Sequence, residues 1–195
     1  MQKSKRQVQK ERTRGKILQA AFKVYSESGF TAATSTIAKE AGIAHGSIFL
    51  HFPTTDDLLS CLMNEFKDSM EKRFQNLSDS SGSIEELLSA HIDILTEYEE
   101  FYTRFISGIV LLPDGAATIL ASIQSGFASY FNIVLEREIE NGVLRKLPAQ
   151  LLQNTWIGLI HYYLQNKELF SPESSVLKRY KKQLIFTYCE LIRRW

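Results

Sequence analysis

The sequence predicts an all-α protein in which an N-terminal three-helix domain precedes a larger helical bundle. Apolar residues recur with the 3.6-residue period of an amphipathic helix almost throughout the 195 residues, and no convincing alternating run indicates a strand. Glycine and proline residues divide this pattern into separate helices. Apolar residues make up 44% of the chain, which is ample for a packed core. We place the domain boundary after residue 52, so residues 1–52 form the first domain and residues 53–195 the second.

The first helix is predicted to run from about Lys10 to Ser28. Gly29 should end it, because glycine readily adopts the left-handed conformation that follows many helices, and the apolar Phe30 comes next. One face of this helix is apolar and is expected to point inward, with Ile17, Leu18, Ala21, Phe22 and Tyr25.

Residues 34–52, TSTIAKEAGIAHGSIFLHF, predict two short helices around a glycine turn. Thr34 is a residue of the helix N-cap type, and Gly42 can take the left-handed dihedral angles that stop a helix. Ile48 and Phe52 lie four residues apart and give the second helix its apolar face, so four residues point elsewhere: His45, Gly46, Ser47 and Leu50. The pattern is that of a helix-turn-helix, whose second helix fits the major groove of DNA.

The charge distribution independently favours a polyanionic partner for the N-terminal part. Residues 1–52 contain nine Lys and Arg against three acidic residues, a net charge of +6. Because the whole chain carries only +1, the rest carries −5, and DNA would be attracted to the first part and repelled by the second. A basic terminus that is merely a solvated tail is the alternative.

The fourth helix is predicted to be long and to connect the two domains. Thr54 or Thr55 caps it, and Asp56 and Asp57 in its first turn suit the helix dipole. Its apolar stripe is Leu58, Leu59, Leu62, Phe66, Met70, Phe74 and Leu77. Residues 78–82, SDSSG, form a loop, after which Ser83 and Glu86 make a capping box for the fifth helix.

The fifth, sixth and seventh helices follow from the same period. The fifth carries Leu87, Leu88, His91, Leu95 and Tyr98, and a bend near Glu99 leads into the sixth. The sixth carries Phe101, Phe105, Ile109 and Leu112 and ends at residues 113–115, PDG. The seventh carries Ile119, Ile123, Phe127, Tyr130, Val134 and Leu135, and Asn141-Gly142 terminates it.

The last two helices are apolar on more than one side. Pro148 and Pro172 are predicted to open them as first-turn prolines, with Ser171 as a cap for the second. A single copy of the chain cannot readily bury all of these apolar faces, so we expect a second copy to cover the faces left exposed. Gly158 would permit the helices of the two copies to approach closely. The alternative is that both helices are central in their own domain.

Several segments, in order, resemble the TetR-type bacterial transcriptional regulators. RGKILQAAFKVYSESGF (Arg14 to Phe30) is similar to the first helix of that family with its closing Gly-aromatic pair. IAKEAGIAHGSIF, from Ile37, resembles helices two and three, and LHFPTTDDLL, from Leu50, resembles the start of helix four. The remaining three quarters match in layout only.

The resemblance implies a function and a set of DNA-binding residues. The protein would be a ligand-responsive regulator, a repressor that binds a palindromic double-stranded operator as a homodimer through its last two helices and is released by a small molecule. His45 would contact a base, unless it is only a solvated histidine at the helix start. The full set is Arg12, Arg14, Thr34, Ser35, Ala44, His45, Gly46, Ser47, Phe49, Leu50, His51, Thr54 and Thr55.

Within this set Thr34 and Ser35, with the backbone N–H groups of their helix, suit a phosphate, while Ser47 and Leu50 suit a base edge or a thymine methyl group. Arg6, Lys10, Arg12 and Arg14 would follow the DNA backbone or reach into the minor groove as an arm. Two positions depart from the family pattern, because Phe49 replaces a usual tyrosine and Thr55 a usual lysine. Each change removes a phosphate contact. The loop between Gly29 and Ile37 is also one residue short.

Aromatic and polar residues of the later helices are expected to reach a common interior. The candidate effector residues are Phe66, His91, Tyr98, Tyr102, Phe105, Phe127, Tyr130, Trp156 and His161. Ligand pockets are mostly apolar with a few oriented polar groups, which fits this set, although an ordinary helical core fits it equally. No acidic cluster is expected inside the bundle to select a cation and no basic residue to select an anion, which favours an uncharged apolar or aromatic effector.

Other functional classes find little support. HExxH, repeated ExxH, P-loop and GxGxxG motifs are absent, so we expect neither catalysis, nor a metal site, nor a cofactor. Cys61 and Cys189 lie in apolar helical patterns and are interpreted as small buried hydrophobes. The longest apolar stretches are interrupted and too short for a bilayer, and the charged residues 1–10 lack a signal sequence, so a cytoplasmic protein without membrane contact is expected. The remaining alternative is a dimeric helical ligand-binding or interaction protein whose DNA binding is weakened or lost.

Overall fold

The computed structural model describes residues 4–78, 82–112 and 115–194, and the all-α prediction is confirmed for them. Ten α-helices are described: α1 Lys5–Ser28, α2 Thr34–Ala41, α3 Gly46–Phe49, α4 Thr55–Ser78, α5 Ile84–Glu97, α6 Glu99–Gly108, α7 Ala116–Glu140, α8 Ala149–Gln165, α9 Lys167–Phe170 and α10 Val176–Ile192. A 3₁₀ turn at Ile109–Leu111 extends α6. Of the predicted breaks at residues 78–82 and 113–115, residues 79–81 and 113–114 lie outside the described residues, and Ser78 is the last residue of α4.

The first helix starts five residues earlier than predicted. Ser4 caps it by accepting a hydrogen bond from the Gln7 backbone N–H at 3.2 Å. The basic segment from Lys5 onwards is therefore helical, which corrects the prediction of an arm before Lys10. The helix ends as predicted at Gly29, whose φ of 77° lies in the region that favours glycine.

Two predicted helix caps are wrong: Thr34 lies one residue after the real N-cap, and Ser171 lies four residues, about one turn, before it. The N-cap of α2 is Ala33, so Thr34 is the first helical residue. The last helix begins at Val176 with Ser175 as its cap, because the hydroxyl of Ser171 bonds to Ser174 instead, at 2.7 Å. The short α9 between α8 and α10 was not predicted.

The caps of α4 and α5 are confirmed. Of the two threonine candidates, Thr54 caps α4, since its hydroxyl accepts from the Asp57 backbone N–H at 3.0 Å and Asp57 accepts from the Thr54 N–H at 3.0 Å. Ser83 and Glu86 form the predicted reciprocal capping box at the start of α5. These contacts fix where the chain leaves the N-terminal helices and re-enters the bundle.

The bundle packs α4 lengthwise along α7 and α5 along α10, while α1 packs on α2 and on α6. Two aromatic clusters fill the interior. The junction cluster, between α1, α4 and α6, comprises Phe22, Phe30, Phe66, Tyr98, Phe101 and Phe105. The bundle cluster, between α5, α7, α8 and α10, comprises His91, Phe127, Phe131, Trp156 and Tyr188.

One expectation about membranes was argued on a wrong premise. The helix α7 is 25 residues long and apolar enough to span a bilayer by length and composition, so its apolar stretch is not too short. Its buried side chains, Phe127 and Phe131 among them, instead pack against α4, α5 and α8. The buried share of this apolar stretch is 28%, so α7 contributes one face to the core.

Within the bundle cluster His91 is a buried imidazole that should make stability depend on pH. Its Nδ1 accepts from Trp156 Nε1 at 2.9 Å, and its ring stacks on Phe127 at 4.1 Å. Burial, followed by the field of His161, lowers the pKa of His91 to about 3. The folded protein therefore keeps His91 neutral at a pH where the unfolded chain binds a proton. Stability is complete above the unfolded pKa and is lost as the pH falls towards the folded one.

Between about pH 7.5 and about pH 5 we expect His91 alone to lower the free energy of unfolding by about 2 kcal/mol. His91→Gln keeps a hydrogen-bond acceptor for Trp156 and removes the titration. In urea unfolding, the free energy of unfolding of the variant should therefore change by about 2 kcal/mol less between the two pH values than that of the unmodified protein. Equal pH dependence of the variant and the unmodified protein would assign the effect to other groups.

Candidate DNA-binding surface

The N-terminus of α3 brings two predicted DNA-binding residues into direct contact. The hydroxyl of Thr34, at the start of α2, lies 2.8 Å from Nε2 of His45, which directly precedes α3. The His45 ring also meets the ring of Phe49 edge-on at 5.5 Å. When Thr34 donates to Nε2, the imidazole carries its proton on Nδ1, which is then the group that can donate to guanine N7 or O6.

Beside His45, two apolar side chains of the predicted set point outward. Leu50 is 78% exposed and Phe49 is 41% exposed. In contrast, Ile48 and Phe52 are buried, as their four-residue spacing predicted. Exposed apolar groups on the outer side of such a helix are suited to contact with a thymine methyl group.

The start of α2 has no side-chain cap from any residue that the structure describes. The Thr36 N–H donates to the Ala33 carbonyl at 2.9 Å, and the N–H groups of Thr34 and Ser35 precede the first hydrogen-bonded turn. Thr34 is half-buried and Ser35 is exposed at this end. An unsatisfied helix N-terminus next to hydroxyl side chains can accept a phosphate group.

The basic residues of α1 are partly bound to the start of α4. The Arg14 guanidinium donates to Cys61 Sγ at 2.7 Å and lies over the Phe52 ring at 4.9 Å. Arg14 therefore joins the N-terminal helices to α4, a role that its position in the sequence did not reveal. Arg12 is exposed.

His51, another member of the predicted DNA-binding set, is partly buried. Burial, followed by the positive charges of Lys10 and Arg14, lowers the pKa of His51. Its Nδ1 is buried and has no hydrogen-bond partner among the residues that the structure describes. Of the remaining members, Thr54 uses its hydroxyl to cap α4, and Ala44, Gly46 and Thr55 are exposed while Ser47 is half-buried.

The predicted effector residues divide between the two aromatic clusters rather than lining one interior space. Phe66, Tyr98 and Phe105 belong to the junction cluster, and Tyr102 contacts Phe66 while its hydroxyl pairs with His161 Nε2 at 2.9 Å. Burial lowers the pKa of His161. The others belong to the bundle cluster or lie beside it: His91, Phe127, Trp156 and the half-buried Tyr130.

A cleft of about 490 Å³ is lined by only two of those predicted residues, Phe66 and Tyr98. The other lining residues were not predicted: Gly15, Leu18, Gln19, Phe22, Leu62 and Glu65. The apolar ones, Leu18, Phe22 and Leu62, lie in the helical pattern of core residues, so nothing in the sequence distinguishes them from residues that only pack in the core.

The outer faces of α8 and α10 remain apolar. Leu151 and Tyr162 on α8 are 61% and 55% exposed, and Phe186 and Leu191 on α10 are 68% and 57% exposed. Gly158 lies exposed on the same side of α8. The inner faces are fixed by Trp156 and Tyr188, so this outward surface is available for association.

Comparisons with known proteins agree with this architecture. Residues 17–61 match the family described as "Bacterial regulatory proteins, tetR family". The chain is 32% identical over 165 residues to the HTH-type transcriptional repressor KstR2 of Mycobacterium tuberculosis, an alignment that covers 76% of this chain and 80% of the repressor. It is 25% identical over 188 residues to the fatty acid metabolism regulator protein of Bacillus subtilis, covering 83% of this chain and 90% of that protein.

Solved structures share the fold. The transcriptional regulator FadR from Bacillus subtilis, solved in complex with stearoyl-CoA, superposes with a TM-score of 0.71 at 20% identity, and the match covers 90% of this chain and 97% of that one. The family match at residues 17–61 includes the second half of α1, all of α2 and α3, where the helix-turn-helix lies, and the start of α4. The chain thus belongs to the TetR family of bacterial transcriptional regulators, and the protein is a transcriptional regulator with a helix-turn-helix.

Proposed function

We propose that the protein is a homodimeric cytoplasmic repressor, without enzymatic activity, that binds a palindromic operator and is released by a small molecule. The observation that carries the proposal is the exposed end of α3, where His45 and Leu50 stand beside the uncapped start of α2. Side chains that can contact bases and backbone N–H groups that can bind phosphate thus lie on one surface. The outward apolar faces of α8 and α10 support the dimer.

Selection of operator sequences from a random duplex pool tests this proposal. A palindrome with half-sites about one helical turn apart is expected, because a two-fold dimer presents two α3 helices to successive major grooves. Binding to the selected operator and to random duplex should be measured over a range of salt concentrations. The alternative, an interaction protein that has lost DNA binding, predicts no enrichment and no salt-dependent affinity.

His45→Ala should lower affinity for the selected operator by about 1–3 kcal/mol and relax the preference at one position in each half-site. The reason is loss of the Nδ1 donor to a base edge. Competition binding with operators altered at each position measures both effects. Thr34→Val is the companion variant, since it removes the hydroxyl that orients His45 and should reproduce part of the loss. An equal loss on random DNA would show that His45 does not read a base.

Thr55→Lys should raise affinity for operator and random DNA alike. Thr55 is exposed at the first residue of α4, where a lysine would add one phosphate contact. The slope of log affinity against log salt concentration should steepen by about one unit for each added contact. Thr118→Lys, at an exposed position near the start of α7, provides the matched charge control. A slope unchanged by Thr55→Lys would mean that this position does not face the DNA backbone.

The effector is proposed to carry a large apolar group. Support comes from the aromatic interior and from FadR of Bacillus subtilis, which was solved with stearoyl-CoA. Long-chain acyl-CoA esters are therefore the first compounds to titrate. A releasing ligand must bind the state without DNA more tightly, and by reciprocity the operator must weaken ligand binding by the same factor. Calorimetry with and without operator measures that factor, and equal affinities would exclude the tested compound as an inducer.

A further inference from the structure

The cleft of about 490 Å³ described above lies between α1 and α4 and not inside the bundle. Leu18 and Phe22 of α1 form one wall, and Leu62 and Phe66 of α4 form the other. Tyr98, at the bend between α5 and α6, contributes to the same cleft. The cleft thus touches both the helix that packs on the helix-turn-helix and the helix that continues into the bundle.

The aromatic part of the cleft is held in a fixed arrangement. The ring of Tyr98 meets Phe22 edge-on at 5.6 Å and Phe66 edge-on at 4.8 Å. Its hydroxyl lies 3.2 Å from Ser69 Oγ, which anchors the ring to α4. Aromatic faces carry partial negative charge, so rings arranged in this way attract a cation or stack with another aromatic ring.

A carboxylate completes the cleft. Glu65 is exposed on α4, one turn from Cys61 and one residue before Phe66, and it forms no ion pair with any residue that the structure describes. Lys67, the nearest lysine along that helix, is instead close to Glu71 and Asp68, both at 3.9 Å. The other polar side chains that line the cleft, Gln19 and Tyr98, are uncharged at neutral pH. The charge that the cleft itself offers to a ligand is therefore negative.

There is room for a ligand above α1. A Cβ atom added to Gly15 would meet no other atom within 4 Å, although Gly15 lines the cleft. A Cβ atom at this helical position therefore faces open space. The volume lies within the range of small-molecule sites, about 300–1,000 Å³.

We infer that this cleft binds an amphipathic aromatic cation, with its flat body against Phe22, Phe66 and Tyr98 and its ammonium group at Glu65. Such a ligand would separate α1 from α4 and so change the position of the helix-turn-helix relative to the bundle. This regulatory consequence rests on the proposed function, whereas binding itself does not. The site is distinct from the bundle cluster around His91.

The experiment uses two fluorescent probes that differ in charge alone, 1-pyrenemethylammonium and 1-pyrenemethanol, with the full chain and without DNA. The ammonium probe should bind at least about five-fold more tightly, because only it carries the positive charge that pairs with Glu65. Glu65→Gln should bring the two affinities to within about two-fold of each other. Glu136→Gln, an exposed carboxylate on α7, is the matched control and should leave the ratio unchanged.

Gly15→Phe should abolish binding of both probes by filling the cleft, and Gly15→Met provides a smaller replacement that tests the same point. Circular dichroism establishes that each variant is folded. Binding of both probes with equal affinity would overturn the assignment to a cation. Probe affinity that survives both Gly15 variants would overturn the site.

The regulatory step is measured separately as the operator affinity at saturating ammonium probe, using a labelled operator and filter binding with unlabelled random duplex as competitor. A fall of about five-fold or more, absent in Glu65→Gln, is expected. If the probe binds but operator affinity does not fall, the binding site is supported and its proposed effect on DNA binding is rejected. Failure to select any operator would reject the proposed function while leaving the binding result intact.

Discussion

Gly158→Arg should convert the protein from a dimer to a monomer and lower operator affinity by at least about 100-fold. The reason is that two linked helix-turn-helix domains that bind simultaneously have an affinity about 10²–10⁴-fold higher than one alone. Gly158 is exposed on the outer face of α8, between the exposed side chains of Leu151 and Tyr162. A Cβ atom at this position would meet nothing within 4 Å in the single chain. The substitution should therefore leave the monomer folded and obstruct only a helix from a second copy.

Sedimentation velocity and operator binding on the same preparations measure the two effects. Ser125→Arg, at an exposed position of α7, is the matched control and should remain dimeric with unchanged affinity. Retention of the dimer and of full operator affinity in Gly158→Arg would place the interface on another surface. A monomer with full affinity would instead show that one helix-turn-helix suffices for binding.

Glu99→Ala should lower the free energy of unfolding by about 3 kcal/mol, since it removes a buried carboxylate from the N-terminus of α10. Glu99 is 5% exposed and accepts hydrogen bonds from the backbone N–H groups of Val176 and Leu177 at 2.9 and 3.3 Å. It also accepts from the hydroxyl of Ser175 at 2.5 Å. After the substitution these buried donors have no carboxylate acceptor, and each unsatisfied buried group carries a desolvation cost.

The neighbouring Glu100→Ala is the control. Glu100 is paired with Lys167, but its side chain is 53% exposed, so its removal should cost about 0–1 kcal/mol. Glu99→Gln, which keeps one acceptor oxygen, should fall between the two. Urea unfolding of the three variants measures the order. A Glu99→Ala protein as stable as Glu100→Ala would show that solvent or another group satisfies the start of α10.

The fold class and the position of the helix-turn-helix were predictable because they rest on local chemistry. The spacing of Ile48 and Phe52, the left-handed Gly29 and Gly42, and the reciprocal bonds of Ser83 and Glu86 each act over a few residues. Such interactions can be recognised in the sequence itself, from the helical period of apolar residues, from glycine at the end of a helix and from the capping residues at its start.

The predicted helix boundaries are wrong where a residue far away in the sequence determines where the helix begins. The start of α10 moved from Pro172 to Val176, where Ser175 caps the helix and Glu99, 77 residues away in the chain, accepts the Val176 N–H. No feature of residues 171–176 indicates that carboxylate. Likewise, Thr34 has the residue type of a cap, yet its hydroxyl bonds to His45 across the turn.

By itself, therefore, the sequence determined the helical class, the order of the helices and the residues that α3 presents outward. Only the tertiary structure decided that the candidate effector residues divide into two clusters and that Phe66 and Tyr98 share a cleft with α1. The physical reason is that helical periodicity tells which face of a helix is apolar, whereas the choice among partners for that face depends on how several helices cross.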